Sequence, residues 1–281
     1  MKRDDAETRR HGDAAKEPAE AARNLRVPMS PLLRVPVSPP LPISPSALRI
    51  LLWDIDGTLI RSAYSGAFKD YTIPVLEDVF GTAGRLAGMS VSGMTDLQII
   101  AEALRDEGFT HETIRERIDE LRDSYMQAME RAAGNRQDLF HLLPGVRELF
   151  ETLDRHPRYL SALLTGNIEP AAHLKMRLVS LAEFFQLPGA FGDDSHDRRD
   201  LPALAAARIS RHLGVDLQPN QFIVIGDTPN DIACARHFGA RALAVATGRF
   251  YSAEDLLACK PDALLQDLSD ANAAIATLEQ L

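Results

Sequence analysis

The sequence predicts an α/β fold, a parallel sheet with helices on both faces, interrupted after its first strand by an all-helical insertion. Three observations carry this. Apolar runs of strand length recur late in the chain, at residues 159–164, 221–225 and 241–245, with helical patterns between them. A similar run at residues 49–53 ends in Asp54-Ile55-Asp56-Gly57-Thr58-Leu59. Between Ser62 and Leu143 helical patterns run on without a clear strand.

The 281 residues, 45% of them hydrophobic, are ample for one core with an insertion. A formal net charge of −9 argues against nucleic acid or an anionic membrane surface as the main partner. A small anionic substrate remains compatible with it. Two cysteines, Cys234 and Cys259, cannot build a disulfide framework and point to a reducing compartment. No apolar run is long enough for a membrane helix, and no signal-peptide core opens the chain. The expectation is a soluble, cytoplasmic protein; nothing in the sequence indicates its oligomeric state.

In chain order, residues 1–47 read as a disordered extension. Residues 1–26 are charged and alanine-rich, and seven prolines follow between Pro28 and Pro45. The first strand is expected at residues 49–53. Residues 62–143 form the insertion, with helices expected at 64–80 (interrupted at Pro74), 95–107 and 110–133. The second of these opens Thr95-Asp96-Leu97-Gln98, a capping-box pattern. Gly81, Gly84 and Gly88 lack a following Gly-Lys-Ser/Thr and read as a loop rather than a phosphate cradle. Residues 48–61 and 144–281 make the core. Its helix at residues 146–155 places Val146, Leu149, Phe150 and Leu153 on one face. Strands are expected at 159–164, 187–191, 221–225, 241–245 and 263–265, with helices at 201–213 and 232–238 and another opening near Pro170.

Three of these strands end in polar groups of complementary chemistry: Asp54-Ile55-Asp56-Gly57-Thr58, Thr165-Gly166-Asn167 and Gly226-Asp227-Thr228-Pro229-Asn230-Asp231. Ligands of open α/β sheets bind where strands end. If the three are neighbours, Asp54, Asp56, Asp227 and Asp231 meet the Thr165 hydroxyl and the amides of turn glycines such as Gly166. Carboxylates without clustered His or Cys suit a hard cation such as Mg²⁺. Hydroxyls and helix-start amides suit a phosphoryl group. Asp54, at the strand tip, is then the natural nucleophile. Asp56, two residues on, is placed for proton transfer.

These residues resemble the motifs of the haloacid dehalogenase-like hydrolase superfamily. Asp54-Ile55-Asp56-Gly57-Thr58-Leu59 is similar to its first motif, Thr165 to its second, and Gly226–Asp231 to its fourth. The resemblance covers about residues 49–270 and points to the phosphoglycolate-phosphatase-like subfamily. It implies a Rossmann-like core with a helical cap inserted after strand one. It also implies Mg²⁺-dependent hydrolysis of a small phosphorylated metabolite through a phospho-aspartate. In that scheme Asp54 is the nucleophile, and Asp56 is the acid/base with its carbonyl on the metal. Asp227 and Asp231 complete the metal site, and Thr165, Gly166 and Lys175 bind the phosphoryl group. A phosphomutase of the β-phosphoglucomutase type is the alternative, followed by a non-catalytic binding protein. Asp56 disfavours dehalogenation, which has no phosphoryl leaving group to protonate.

The cation of the third motif is less explicit, because Asp197-Arg198-Arg199-Asp200-Leu201-Pro202 contains no lysine. Lys175, about two turns into a helix whose side chains lean toward its N-terminus, is preferred over Arg198, with Asp194 or Asp197 to position it. Relatives tend to carry a basic residue in Gly93-Met94-Thr95-Asp96, and Met94 departs from that, which points to a different leaving group. Arg249 is a further candidate contact. His173 reads as a solvated helix position, and Cys234 and His237 as packing residues.

Overall fold

The computed structural model describes residues 44–64, 66–135 and 138–281. Five parallel strands form the sheet: β1 (Arg49–Trp53), β4 (Tyr159–Leu163), β5 (Phe222–Gly226), β6 (Arg241–Val245) and β7 (Ala263–Leu265), in the order β4-β1-β5-β6-β7. β1 is an inner strand, with Trp53 paired to Leu163 on one side and Ile225 on the other. Strand alternation sends Leu51, Trp53, Ile223 and Ile225 to one face, and Ile50, Leu52 and Val224 to the other. Both sets are buried, so both faces are covered, as a parallel sheet requires. One face packs α5 (Val146–Asp154), whose Phe150 ring lies 5.0 Å from Trp53, together with α10 (Ala271–Gln280). The other packs α7 (Leu201–Leu213), α8 (Pro229–Phe238) and α9 (Ala253–Ala258). This is a Rossmann-like α/β core.

After β1 come a short strand β2 (Ile60–Ser62) and four helices: α1 (Ala67–Phe80), α2 (Asp96–Leu104), α3 (His111–Glu116) and α4 (Ile118–Asn135). The chain returns through β3 (Phe140–Leu142), antiparallel to β2. This two-stranded ribbon corrects the reading of an insertion without strands. Each strand has three residues, and their partners are distant in sequence, so no local pattern announces them. Three helix boundaries also differ. Pro74 lies inside α1 without ending it. The helix expected at 95–107 closes with a 3₁₀ turn from Arg105. The one expected at 110–133 is two helices, divided at Arg117.

Residues 187–191 form no strand, only an isolated bridge from Ala190 to Leu164. The expected disordered extension lies outside the described residues as far as residue 43. Its last part, Pro45–Ala47, is a 3₁₀ turn, and the Gln221 side chain donates to the carbonyls of Pro45 and Leu48. No helix among the described residues is long and apolar enough to cross a membrane.

Candidate active site

β1, β4 and β5 are neighbours, so their carboxyl ends share one edge. Asp54 continues the pairing: its amide donates to the Ile225 carbonyl at 2.9 Å, and it is 5% exposed. The chain then folds into a tight turn, with the amides of Leu59 and Ile60 on the Ile55 carbonyl. Gly57 serves that turn in two ways. Its φ is +94°, where L side chains are strained, and a Cβ there would stand 2.4 Å from Asp227 Oδ2. Thr58 Oγ1 donates to Asp227 Oδ1 at 3.2 Å.

β5 runs into α8 through a capping box. Thr228 N and Oγ1 donate to Asp231 Oδ2 at 3.0 and 2.7 Å. Asp231 is therefore the reciprocating residue inside the first turn, and the helix begins at Pro229 rather than at residue 232. Asp54, Asp227 and Asp231 each bring a carboxylate oxygen within 4.8 Å of the others, and all three are buried. Facing them is Arg198, 7% exposed, in a 3₁₀ turn just before α7. Its guanidinium donates to Asp54 Oδ1 at 2.8 Å and to Asp231 Oδ1 at 2.6 Å. The buried thiol of Cys234 donates to the Arg198 carbonyl at 3.2 Å.

One guanidinium does not balance three buried carboxylates. Burial pushes Asp54 up to about 7 against the pull of Arg198, with Asp231 and Asp56 adding to the rise. Burial, then Asp54 and Asp231, raise Asp227 well above the ordinary carboxylate range. Burial pulls Arg198 down, but Asp231 and Asp54 outweigh it and hold the guanidinium firmly charged. A buried, all-oxygen donor set still short of positive charge fits a hard divalent cation.

The second cation serves a different carboxylate. Lys175, 1% exposed on α6 (Glu169–Leu178), donates to Asp56 Oδ2 and to Asn167 Oδ1, each at 2.6 Å. Burial lowers its pKa, Asp56 and Tyr71 raise it, and the net shift is upward. Asn167 Nδ2 donates to Asp56 Oδ2 at 2.7 Å and to Thr165 Oγ1 at 2.8 Å. The sequence-based preference is for Lys175 over Arg198 as the cation facing the phosphoryl group; both reach the cavity, Arg198 meeting Asp54 and Lys175 meeting Asp56. The 3₁₀ turn that carries Arg198 inward has no periodic signal. Asp197 and Asp194 position neither cation, since Asp197 pairs with Arg199 and Asp194 with Arg208. His173 sits on the exposed side of α6, 3.7 Å from Glu169.

Unlike its neighbours, the Asp56 side chain is 41% exposed. It borders a cavity of about 530 Å³ that Asp54, Thr165, Lys175, Arg198 and Asp227 also line. Residues 62–99 form the opposite wall, and the loop after β6 forms part of the mouth. That loop lies close to the carboxylates. Thr247 Oγ1 donates to the Gly57 carbonyl at 2.6 Å, and a Cβ on Gly248 would stand 2.0 Å from Asp227 Oδ2. Arg249, the candidate substrate contact, reaches the Ser62 carbonyl at 3.2 Å.

Sequence reasoning passed over Asp96 and Asn167. Thr95 caps α2 by accepting from the Gln98 amide, the threonine half of the expected capping box, while Asp96 turns inward and is 3% exposed. Its carboxylate accepts from the Ile168 amide at 2.9 Å, and its own amide donates to the Gly166 carbonyl at 2.7 Å. An acid in the first turn of a helix is the signal, but it usually means a solvated residue complementing the dipole.

A family model described as HAD-hydrolase-like matches residues 200–271. The phosphoglycolate phosphatase of Vibrio vulnificus is 22% identical over 237 residues, covering 79% of this chain and 93% of that protein. The pyrophosphatase PpaX of Anoxybacillus flavithermus is 24% identical over 229 residues, covering 79% and 94%. Among solved structures, CbbY from Rhodobacter sphaeroides in complex with phosphate aligns with a TM-score of 0.56 at 19% identity, covering 79% of this chain and 96% of that one. At that identity the likeness is one of fold.

Proposed function

We propose that the chain, which belongs to the haloacid dehalogenase-like hydrolase superfamily, is a Mg²⁺-dependent phosphatase that hydrolyses a small phosphomonoester through a phospho-aspartate on Asp54. The observation that carries this reading is the gathering of Asp54, Asp227 and Asp231 within 4.8 Å, with Asp56 beside them at the edge of a cavity.

Asp54, Asp227 and Asp231, with the Asp56 carbonyl, would hold Mg²⁺. When bound, the ion supplies the positive charge that lets an anionic carboxylate approach an anionic phosphoryl group. Asp54 attacks phosphorus while the bond to the leaving oxygen breaks, and Asp56 gives that oxygen its proton. Water then attacks phosphorus and passes a proton to Asp56; the bond to Asp54 breaks and inorganic phosphate departs. Lys175 and Asn167 both hold Oδ2 of Asp56, so Oδ1 is the oxygen left to carry the proton. Arg198 fixes the orientation of Asp54 and adds charge opposite the phosphoryl oxygens. The Thr165 hydroxyl accepts from Asn167, which leaves its own O–H to donate to a phosphoryl oxygen together with the Gly166 amide.

The exposure of Asp56 favours water over a returned sugar hydroxyl as the phosphoryl acceptor, and so favours a hydrolase over a mutase. The wall of residues 62–99 acts as a cap that limits bulk water and reads the leaving group. The test is phosphate release from a panel of phosphomonoesters with Mg²⁺ and with chelator. Release should require the metal and should vanish in Asp54→Asn with the fold intact. Metal-independent turnover, or activity surviving in that variant, would overturn the mechanism.

A further inference from the structure

We infer that the substrate is a phosphomonoester whose leaving group is uncharged and carries an aromatic base, that is, a nucleoside 5′-monophosphate. The inference rests on the phosphatase reading above and adds the leaving group. The helical segment faces the cavity with Phe68, Tyr71, Met89, Val91, Met94 and Ile99, an apolar surface broken by Ser90, Ser92 and Asp96. Among the described residues the segment brings one cation to the cavity, Lys69. Its ammonium donates to the carbonyls of Ala87 and Met89, both at 2.8 Å, and so holds the wall together. The two arginines that also line the cavity, Arg61 and Arg249, donate to the carbonyls of Thr247 and Ser62, so a leaving group with its own carboxylate, such as glycolate, would lose water against the helical wall and compete with those carbonyls for a partner. A neutral sugar ring does not carry that cost.

The mouth adds the second half. Phe250 is 65% exposed, unusual for a large hydrophobic residue, and it lines the same cavity. The chain places it with care. Gly248 presses the loop against Asp227, and Arg61 donates to the Thr247 carbonyl at 2.6 Å. Arg249 reaches back to the Ser62 carbonyl. Phe250 is thus held two residues from the contact with the carboxylate cluster, its ring open to solvent. A flat aromatic surface at the mouth of a phosphate-and-sugar-sized cavity is a stacking platform for a base, and such stacking is sequence-tolerant. The cavity, about 530 Å³, is within the range of small-molecule sites.

The test compares kcat/KM, with Mg²⁺, for nucleoside 5′-monophosphates, ribose 5-phosphate, phosphoglycolate and inorganic pyrophosphate. Nucleotides should exceed ribose 5-phosphate at least tenfold, with phosphoglycolate and pyrophosphate lower still. In Phe250→Ala the nucleotide-to-ribose-phosphate ratio should fall about five- to 140-fold, the range that base–aromatic stacking converts to. Equal or better turnover of ribose 5-phosphate, phosphoglycolate or pyrophosphate would overturn the inference while leaving the phosphatase intact. So would an unchanged ratio in Phe250→Ala. Release of phosphate from none of the four would sink the phosphatase reading and this inference together.

Discussion

Asp96→Asn should make the protein more stable as pH rises. Burial pushes the Asp96 carboxyl from 3.8 up to about 7, against the opposing pull of the Ile168 amide and Lys175. Below pH 4 the group is protonated in both the folded and the unfolded chain. Between pH 4 and 7 the unfolded chain loses this proton and the folded chain keeps it, so stability falls with rising pH. Above about 7 the whole penalty is present. At about 1.4 kcal/mol per pH unit, the interval amounts to about 4 kcal/mol. Asparagine does not ionise, and its carbonyl can still accept from the Ile168 amide. At pH 4 wild type and variant should therefore agree within ~1 kcal/mol, the scale of one neutral hydrogen bond. At pH 8.5 the variant should lead by about 3–4 kcal/mol. Urea unfolding of both proteins at the two pH values, with chelator throughout, measures the difference. A difference that stays constant, or that turns against the variant at pH 8.5, would refute the reasoning.

Two further substitutions probe the site. Arg198→Ala leaves Asp54 and Asp231 buried without their partner and should cost about 3–5 kcal/mol in the absence of metal. Lys175→Ala should cost less by the same thermal or chemical unfolding, because the carboxylate it leaves, Asp56, is 41% exposed and can be hydrated. An equal loss in both would contradict the assignment of Arg198 to the buried cluster. Gly248→Ala puts a methyl 2.0 Å from Asp227 Oδ2, so either the loop or the carboxylate must shift. Phosphate release should drop at least tenfold, on the order of what a misplaced catalytic group costs, and wild-type turnover in that variant would show that the loop yields freely.

Much of the core was legible because its signals are local. Residues 50–53 are apolar at every position, as a strand buried on both faces must be, and the aspartates stand where that run stops. The β–α alternation made a parallel sheet legible, while the neighbourhood of β1, β4 and β5 was a condition that the strand order meets. What was not legible depends on contacts far apart in sequence. β2 and β3 are too short to show a period, and each is a strand only because the other is there. Arg198 and Lys175 both reach the site, and both lie where the sequence pointed. Which carboxylate each one meets depends on a 3₁₀ turn and on Asn167, whose side chain ties Lys175 to Asp56. Pro74 is tolerated within α1 although proline in a helix interior usually breaks it. The division at Arg117 occurs without glycine or proline, and nothing in the local sequence explains it.

Residues 93–97 are fastened to the core at five points. The Asn230 amide holds the Gly93 carbonyl, and the Thr95 hydroxyl holds that of His196. The amides of Asp96 and Leu97 reach Gly166 and Gly192, and the Asp96 carboxylate holds Ile168. Lifting this stretch would therefore drag Gly166 with it and pull apart the loop that presents Thr165. The helical segment and the Thr165 loop are in effect tied into one piece. None of these five ties involves Arg249 or Phe250, which line the same cavity.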